Sequence, residues 1–230
     1  MCAFKPTASG LSPEESRPIL FLQAKGILMG VLIDNFASAN ELLDFCDARD
    51  AELKEEITVL IKQDAQNSQE WEITRAEQRK YQGWAFIALR DATLAIYHFR
   101  STLYSLQATA ASIPALVKSL PKDAFSQIIS SFNQHFPYAV SARHAVAHSA
   151  DMTFNEDEMQ KHSVSALGIS YFESNGRAGR ILSHTKKEGS SAPEDVSVEV
   201  SAESLQKLIE IKRAVDILFL SAANFCVPGR

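Results

Sequence analysis

Apolar residues recur at three- and four-residue spacing along most of the first two-thirds of the chain, the signature of helices with one face turned inward. Ile19 to Ile33 is apolar apart from Gln23 and Lys25. Taken as a 15-residue helix it spans about 22 Å, short of the roughly 30 Å hydrocarbon layer, so a buried core helix is expected and no membrane partner. Ser38 to Gln66 mixes Leu42, Leu43, Leu53, Ile57, Leu60 and Ile61 with acids and lysines, the pattern of a solvent-facing helix. From Gln69 to Ala110 there is no proline and only Gly83, while Phe86, Leu89, Thr93, Ile96 and Leu103 keep helical spacing. That stretch predicts a long central helix. Pro114 and Pro121 punctuate the next connection. Lys122-Asp123 opens a shorter helix through Phe125, Ile128, Ile129 and Phe132, and Pro137 suits the first turn of another, to about Met152.

After Asp157 the period changes. Ser163 to Phe172 partly alternates, Ser174 to Gly179 carries turn chemistry, and Arg180 to Thr185 returns as a second strand. Gly189 to Asp195 reads as a loop, and Val196, Val198 and Val200 alternate with Ser197 and Glu199. Ser201 or Ala202 then starts a last helix with Leu205, Leu208, Val215, Leu218, Phe219 and Ala222 on one side. The expected architecture is mainly α: a helical bundle with a small antiparallel β insertion before its final helix. A flexible lead over residues 1–17 precedes one domain over 18–230, with the insertion at about 163–201 and the last helix at about 202–223.

Composition adds bounds rather than chemistry. The 46% hydrophobic and 22% charged content over 230 residues is that of a folded chain with a sizeable core. A net charge of -5 excludes a generally basic nucleic-acid binder but allows a local basic site. Cys2, Cys46 and Cys226 are too scattered for a disulfide framework or a cysteine-based zinc site, which fits a reducing cytoplasm. Pro, Ser, Gly and Glu occupy the N-terminal stretch where a signal peptide places its apolar core.

One segment carries chemistry. In Phe136 to Met152 (FPYAVSARHAVAHSADM), Arg143, His144 and His148 interrupt an otherwise small and apolar helix. Arg143-His144-Ala145-Val146-Ala147-His148 resembles the signature of the HEPN superfamily (higher-eukaryote and prokaryote nucleotide-binding domains). There an Arg is followed by a polar residue and, four to six positions beyond the Arg, by a His. The resemblance covers about residues 20 to 155. It implies a helical domain that is commonly a metal-independent endoribonuclease, often a toxin or antiphage effector with a protein antitoxin as partner. Other members are inactive, or serve as binding and dimerisation modules. It also implies a site shared by two subunits, whereas the β insertion lies outside the basic family pattern.

Helical geometry speaks to the same residues independently. With Arg143 at 0°, His144 falls at about 100°, His148 at about 140° and Asp151 at about 80°, so four polar groups share one arc. Arg143 and His148 are about 7.5 Å apart along the axis and do not meet on one helix. Two such arcs facing across a twofold axis converge on one phosphate. RNA cleavage needs little more: histidine exchanges protons near neutral pH, and arginine offers fixed donors to the charge gathering on phosphate oxygens. His148 is the expected acid/base and Arg143 the phosphate clamp. His144 would orient a partner or bind backbone phosphate, and Asp151 would hold the imidazole tautomer. Three plainer readings stand beside this one. The arc is solvated or buries an Arg–Asp pair; or the fold binds nucleotide, RNA or protein without catalysis; or the bundle serves oligomerisation. His144, His148 and Asp151 have zinc-like spacing, but no third histidine or cysteine cluster joins them, so neither metal nor cofactor is expected.

Elsewhere the signals are weaker. Arg90, Asp91 and His98 lie on the central helix outside the motif spacing, with Arg90-Asp91 read as a structural pair. Trp84, Phe86, Tyr97, Phe99 and Tyr104 read mainly as core, and His135 and His162 default to loops or surface. In the β insertion Arg177, Arg180, His184, Lys186 and Lys187 fall close together in an acidic chain. They are either a solvated hairpin edge that discourages strand pairing or a basic finger guiding RNA phosphates.

Overall fold

A computed structural model of the protein describes residues 13–143, 146, 168–174, 177–186 and 194–225. Helix α1 spans Pro13–Lys62 and helix α2 spans Gln69–Ala111. The two segments expected as separate helices are therefore one 50-residue rod of about 75 Å. The polar residues Asp34, Asn35 and Ser38 do not break it, because all three lie on its exposed side while Phe36 and Ala39 continue the buried stripe. The helix also begins at Pro13, inside the stretch expected to be a flexible lead.

A seven-residue repeat joins the two rods. Leu22, Met29, Phe36 and Leu43 recur every seven residues on α1, and so do Leu32, Ala39, Cys46, Leu53 and Leu60; all are buried. Helix α2 answers with two buried series of the same period, Thr74, Tyr81, Ala88, Ala95 and Thr102, and Gln78, Ala92, Phe99 and Leu106. This is the knobs-into-holes pattern of a coiled coil. The pair is antiparallel: Phe45 meets Tyr81, Arg49 meets Glu77 and Asp50 meets Gln82.

The hairpin turn is specified locally. The Ala65 N–H reaches the Leu60 carbonyl at 2.9 Å and the Asp64 N–H reaches the Ile61 carbonyl at 3.1 Å, with Asp64 left-handed at φ 55. That bond pair satisfies the last carbonyls of α1, with aspartate in the place that glycine usually takes. Ser68 then caps α2, its hydroxyl accepting from the Trp71 N–H at 3.1 Å.

The half of the hairpin nearer the turn has its own small cluster, Cys46, Leu53 and Tyr81. The other half enters the main core. There α2 turns a further buried stripe, Leu89, Ile96, Leu103 and Ala110, towards the rest of the bundle. Helices α3 (Pro114–Ser119) and α4 (Ala124–His135) follow, and residues 139–143 are again helical. Phe132 of α4 stacks on Phe99 of α2 at 5.9 Å. The Ile19 to Ile33 stretch, expected to be a buried core helix, is only half covered: Leu22, Met29, Leu32 and Ile33 are buried while Leu20, Phe21, Ile27, Leu28 and Val31 are exposed. The length argument against a membrane span took that helix to end at Ile33. It does not apply, since α1 holds an apolar 18-residue window of which 28% is buried.

Strands β1 (Gly168–Ser174), β2 (Arg177–Lys186) and β3 (Glu194–Ser201) form one antiparallel sheet in the order β1-β2-β3. Tyr171 pairs with Arg180, and Arg180 with Val200. Buried Val198 and Val200 join the sheet to the core. The last helix, α5, spans Ala202–Phe225 and starts under Ser201, whose hydroxyl accepts from the Ser204 N–H at 3.2 Å. A mainly α fold carrying a small β insertion ahead of its final helix is thus borne out.

Candidate phosphate-binding site

Arg143 stands on a short, well-specified turn of helix. After Pro137 the chain closes with the Ala139 N–H on the Phe136 carbonyl at 3.3 Å and the Ala142 N–H on the Tyr138 carbonyl at 2.9 Å. Ala139, Ala142 and Val146 are buried, which fixes the rotation of this turn and leaves Arg143 half-buried beside α2. Its guanidinium carbon lies over the ring of Tyr97, 5.4 Å from the centroid. A desolvated arginine over an aromatic face is held by the negative π cloud without spending its N–H donors.

Helix α2 supplies the floor. Tyr97, Arg100 and Tyr104 follow each other at three- and four-residue intervals and share one face. All three are half-buried. The Arg100 guanidinium carbon sits 4.5 Å from the Tyr104 ring centroid. Its Nε donates to Asn133 Oδ1 at 3.4 Å and Nη2 donates to the Tyr104 hydroxyl at 3.4 Å, while Asn133 Nδ2 donates to that hydroxyl at 3.0 Å. The His98 ring meets Tyr97 edge-on at 5.3 Å.

Charge is what distinguishes this face. Every ion pair among the described residues joins side chains of α1, α2 or α5, and none includes Arg100 or Arg143. Arg100 and Arg143 are thus two half-buried cations beside aromatic rings that form no ion pair among the described residues. The reading in which Arg143 pairs with Asp151 lies outside the described residues, because Asp151 does.

Of the residues singled out in the sequence, only Arg143 has a described side chain in this site. His144, His148 and Asp151 lie outside the described residues, as do Lys187 and His162. Arg177, Arg180 and Lys186 are placed by their backbone on β2. Arg90 and Asp91 form the expected pair, 3.9 Å apart, and both are exposed. Asp91 and His98 line a different feature, a groove of about 510 Å³ between α1 and α2. His135 closes α4 half-buried against Phe136 at 4.7 Å.

The aromatic group assigned mainly to the core divides. Phe99 is buried, Trp84 is exposed, and Tyr97 and Tyr104 line the arginines. Sequence reasoning missed Arg100, Tyr104 and Asn133 as site residues. The available signal was the Tyr97–Arg100–Tyr104 spacing, which sets a cation between two rings on one helix face. Among the described residues no group of three or more His, Cys, Asp or Glu could hold a metal ion. Compared with protein families, curated proteins and solved structures, the chain matches none.

Proposed function

We propose that the chain is a HEPN-like, metal-independent endoribonuclease that works as a homodimer, with Arg143 as phosphate clamp and His148 as acid/base. The observation that carries this reading is Arg143 itself. Its guanidinium rests on the Tyr97 ring and forms no ion pair among the described residues, which supports a role for its N–H donors in holding an anion. In the reaction the RNA 2′-hydroxyl loses its proton to a base and attacks the adjacent phosphorus. The bond to the 5′-oxygen breaks, that oxygen takes a proton from an acid, and a 2′,3′-cyclic phosphate remains. Histidine serves both proton transfers near neutral pH, and arginine is worth most where the phosphorane oxygens gather charge. A toxin or defence role with a protein antitoxin is the biological setting that the motif implies.

The experiment is cleavage of single-stranded RNA by the purified protein in EDTA, with the products assayed for cyclic phosphate ends. Arg143→Ala and His148→Ala should each reduce the rate at least about a hundredfold, and light scattering at micromolar concentration should give a dimer. Strict dependence on added metal, undiminished cleavage by both variants, or a fully active monomer would each overturn the mechanism. A second reading is non-catalytic binding of RNA or nucleotide by the same face. It draws support from the described groups, which are donors and rings suited to holding a phosphate rather than moving a proton.

A further inference from the structure

The Tyr104 hydroxyl is an accounting problem whose solution points outward. Its oxygen receives Asn133 Nδ2 at 3.0 Å and Arg100 Nη2 at 3.4 Å. The amide orientation is fixed, because arginine only donates and the Asn133 atom facing Arg100 Nε must therefore be the oxygen. With two donors aimed at it, the phenol must give its own proton to something else, and no acceptor for it stands among the described residues. Arg100 is similarly underused. Its two contacts, both at 3.4 Å, are longer than the ordinary range for such bonds, and three further N–H donors have no described partner. The Asn133 and Tyr104 oxygens are already occupied by donors, so what this half-buried cluster has left to offer is donors.

We propose that Arg100 and the Tyr104 hydroxyl form a second phosphate subsite beside Arg143, which holds a neighbouring phosphate of the same RNA strand. The inference rests on the reading of Arg143 as a phosphate clamp, and it makes the substrate a polynucleotide rather than a mononucleotide. The placement is set by α2. Arg143 covers Tyr97, and Arg100 lies three residues further along the same face, about 4.5 Å along the axis. Asn133 of α4 is then a positioning residue: it occupies the Tyr104 oxygen and leaves the hydroxyl hydrogen and the Arg100 Nη1 group for the ligand.

The test is binding of a 5′-labelled 12-nucleotide oligouridine by the full-length protein across a salt series, with four variants whose thermal unfolding is checked. Arg100→Gln should weaken binding about tenfold and flatten the salt slope by about 0.7, the amount for one phosphate contact on a single strand. Tyr104→Phe keeps the ring and should weaken binding severalfold without changing the slope. Asn133→Asp is isosteric and supplies Arg100 with an internal carboxylate, so it should mimic Arg100→Gln. Folded Arg100→Gln and Tyr104→Phe variants that bind as the wild type does would overturn the subsite. If binding falls in Arg143→Gln but not in these, the clamp stands and the subsite fails. If it falls in these but not in Arg143→Gln, the subsite stands and the clamp fails. No binding by the wild type removes both.

Discussion

The Arg143 guanidinium lies over the Tyr97 ring at 5.4 Å, and these residues, distant in sequence, join the motif turn to the central helix. A contact of this kind is worth about 0.5–2 kcal/mol, depending on how fully the pair is desolvated. It orders the guanidinium through the ring face, which uses none of its N–H donors. Replacing Tyr97 by Leu should therefore weaken RNA binding severalfold, whereas Tyr97→Phe, which keeps the ring, should bind nearly as the wild type does. A double-mutant cycle of Tyr97→Leu with Arg143→Gln, followed by urea unfolding, should give a coupling of at least about 0.5 kcal/mol. Strict additivity would mean that the ring does not hold the arginine.

Arg177, Arg180 and Lys186 occupy the central strand of the sheet. Arg177 and Arg180 lie in the first half of β2, opposite Ser174 and Tyr171 of β1, and Lys186 ends it in register with Glu194 of β3. That register gives Lys186 an acidic neighbour along the backbone ladder, which the two arginines lack. If the strand guides RNA phosphates, Arg177→Gln with Arg180→Gln should weaken binding for all sequences alike and flatten the salt dependence. Lys186→Gln with Lys187→Gln should do less. Equal affinity and slope in the arginine pair would assign these charges to solubility, since β2 is not an edge strand.

How far the sequence revealed the molecule depended on the range of the interaction. Helix α2 was legible almost end to end, because its period is local and no proline interrupts Gln69–Ala111. The length of α1 was not. Asp34, Asn35 and Ser38 look like a break in a linear reading, and only the seven-residue repeat through Phe36 and Ala39 shows them to be one polar strip on a continuous rod. The candidate site divides in the same way. Arg143 was visible because its motif is contiguous. Asn133 was invisible because its role is a bond to Tyr104 across 29 residues, and nothing in either neighbourhood marks that pairing. Tyr104 does pack against the core while also meeting Arg100, and Tyr97 meets Arg143, because an aromatic at helical spacing has the same pattern whether it meets leucine or arginine.

Asp50 occupies a position of the α1 repeat that would otherwise be apolar, seven residues after Leu43 and seven before Ile57. It accepts from Gln82 of α2 at 3.1 Å and pairs with Lys54 at 2.6 Å. Burial pushes its carboxyl pKa up, but hydrogen bonds from Lys54, Gln78 and Gln82 outweigh that and hold it below the usual carboxylate range. A polar group in an apolar seam fixes register, since sliding one helix by a turn would take the carboxylate away from Gln78 and Gln82. The sign follows from linkage: a depressed folded-state pKa contributes stability above the unfolded value of about 3.9, and that contribution is lost as pH falls through the folded value. Asp50→Asn should thus lower stability at pH 7 by up to about 1 kcal/mol, the scale of a partly exposed pair. The difference between variant and wild type should shrink steadily below about pH 4, where the wild-type carboxyl takes up its proton. Urea unfolding of both proteins at pH 7 and pH 3 isolates this group from the other titrating acids, because they are common to both chains. A difference that stays constant over that range would show that the Asp50 charge does not stabilise the hairpin.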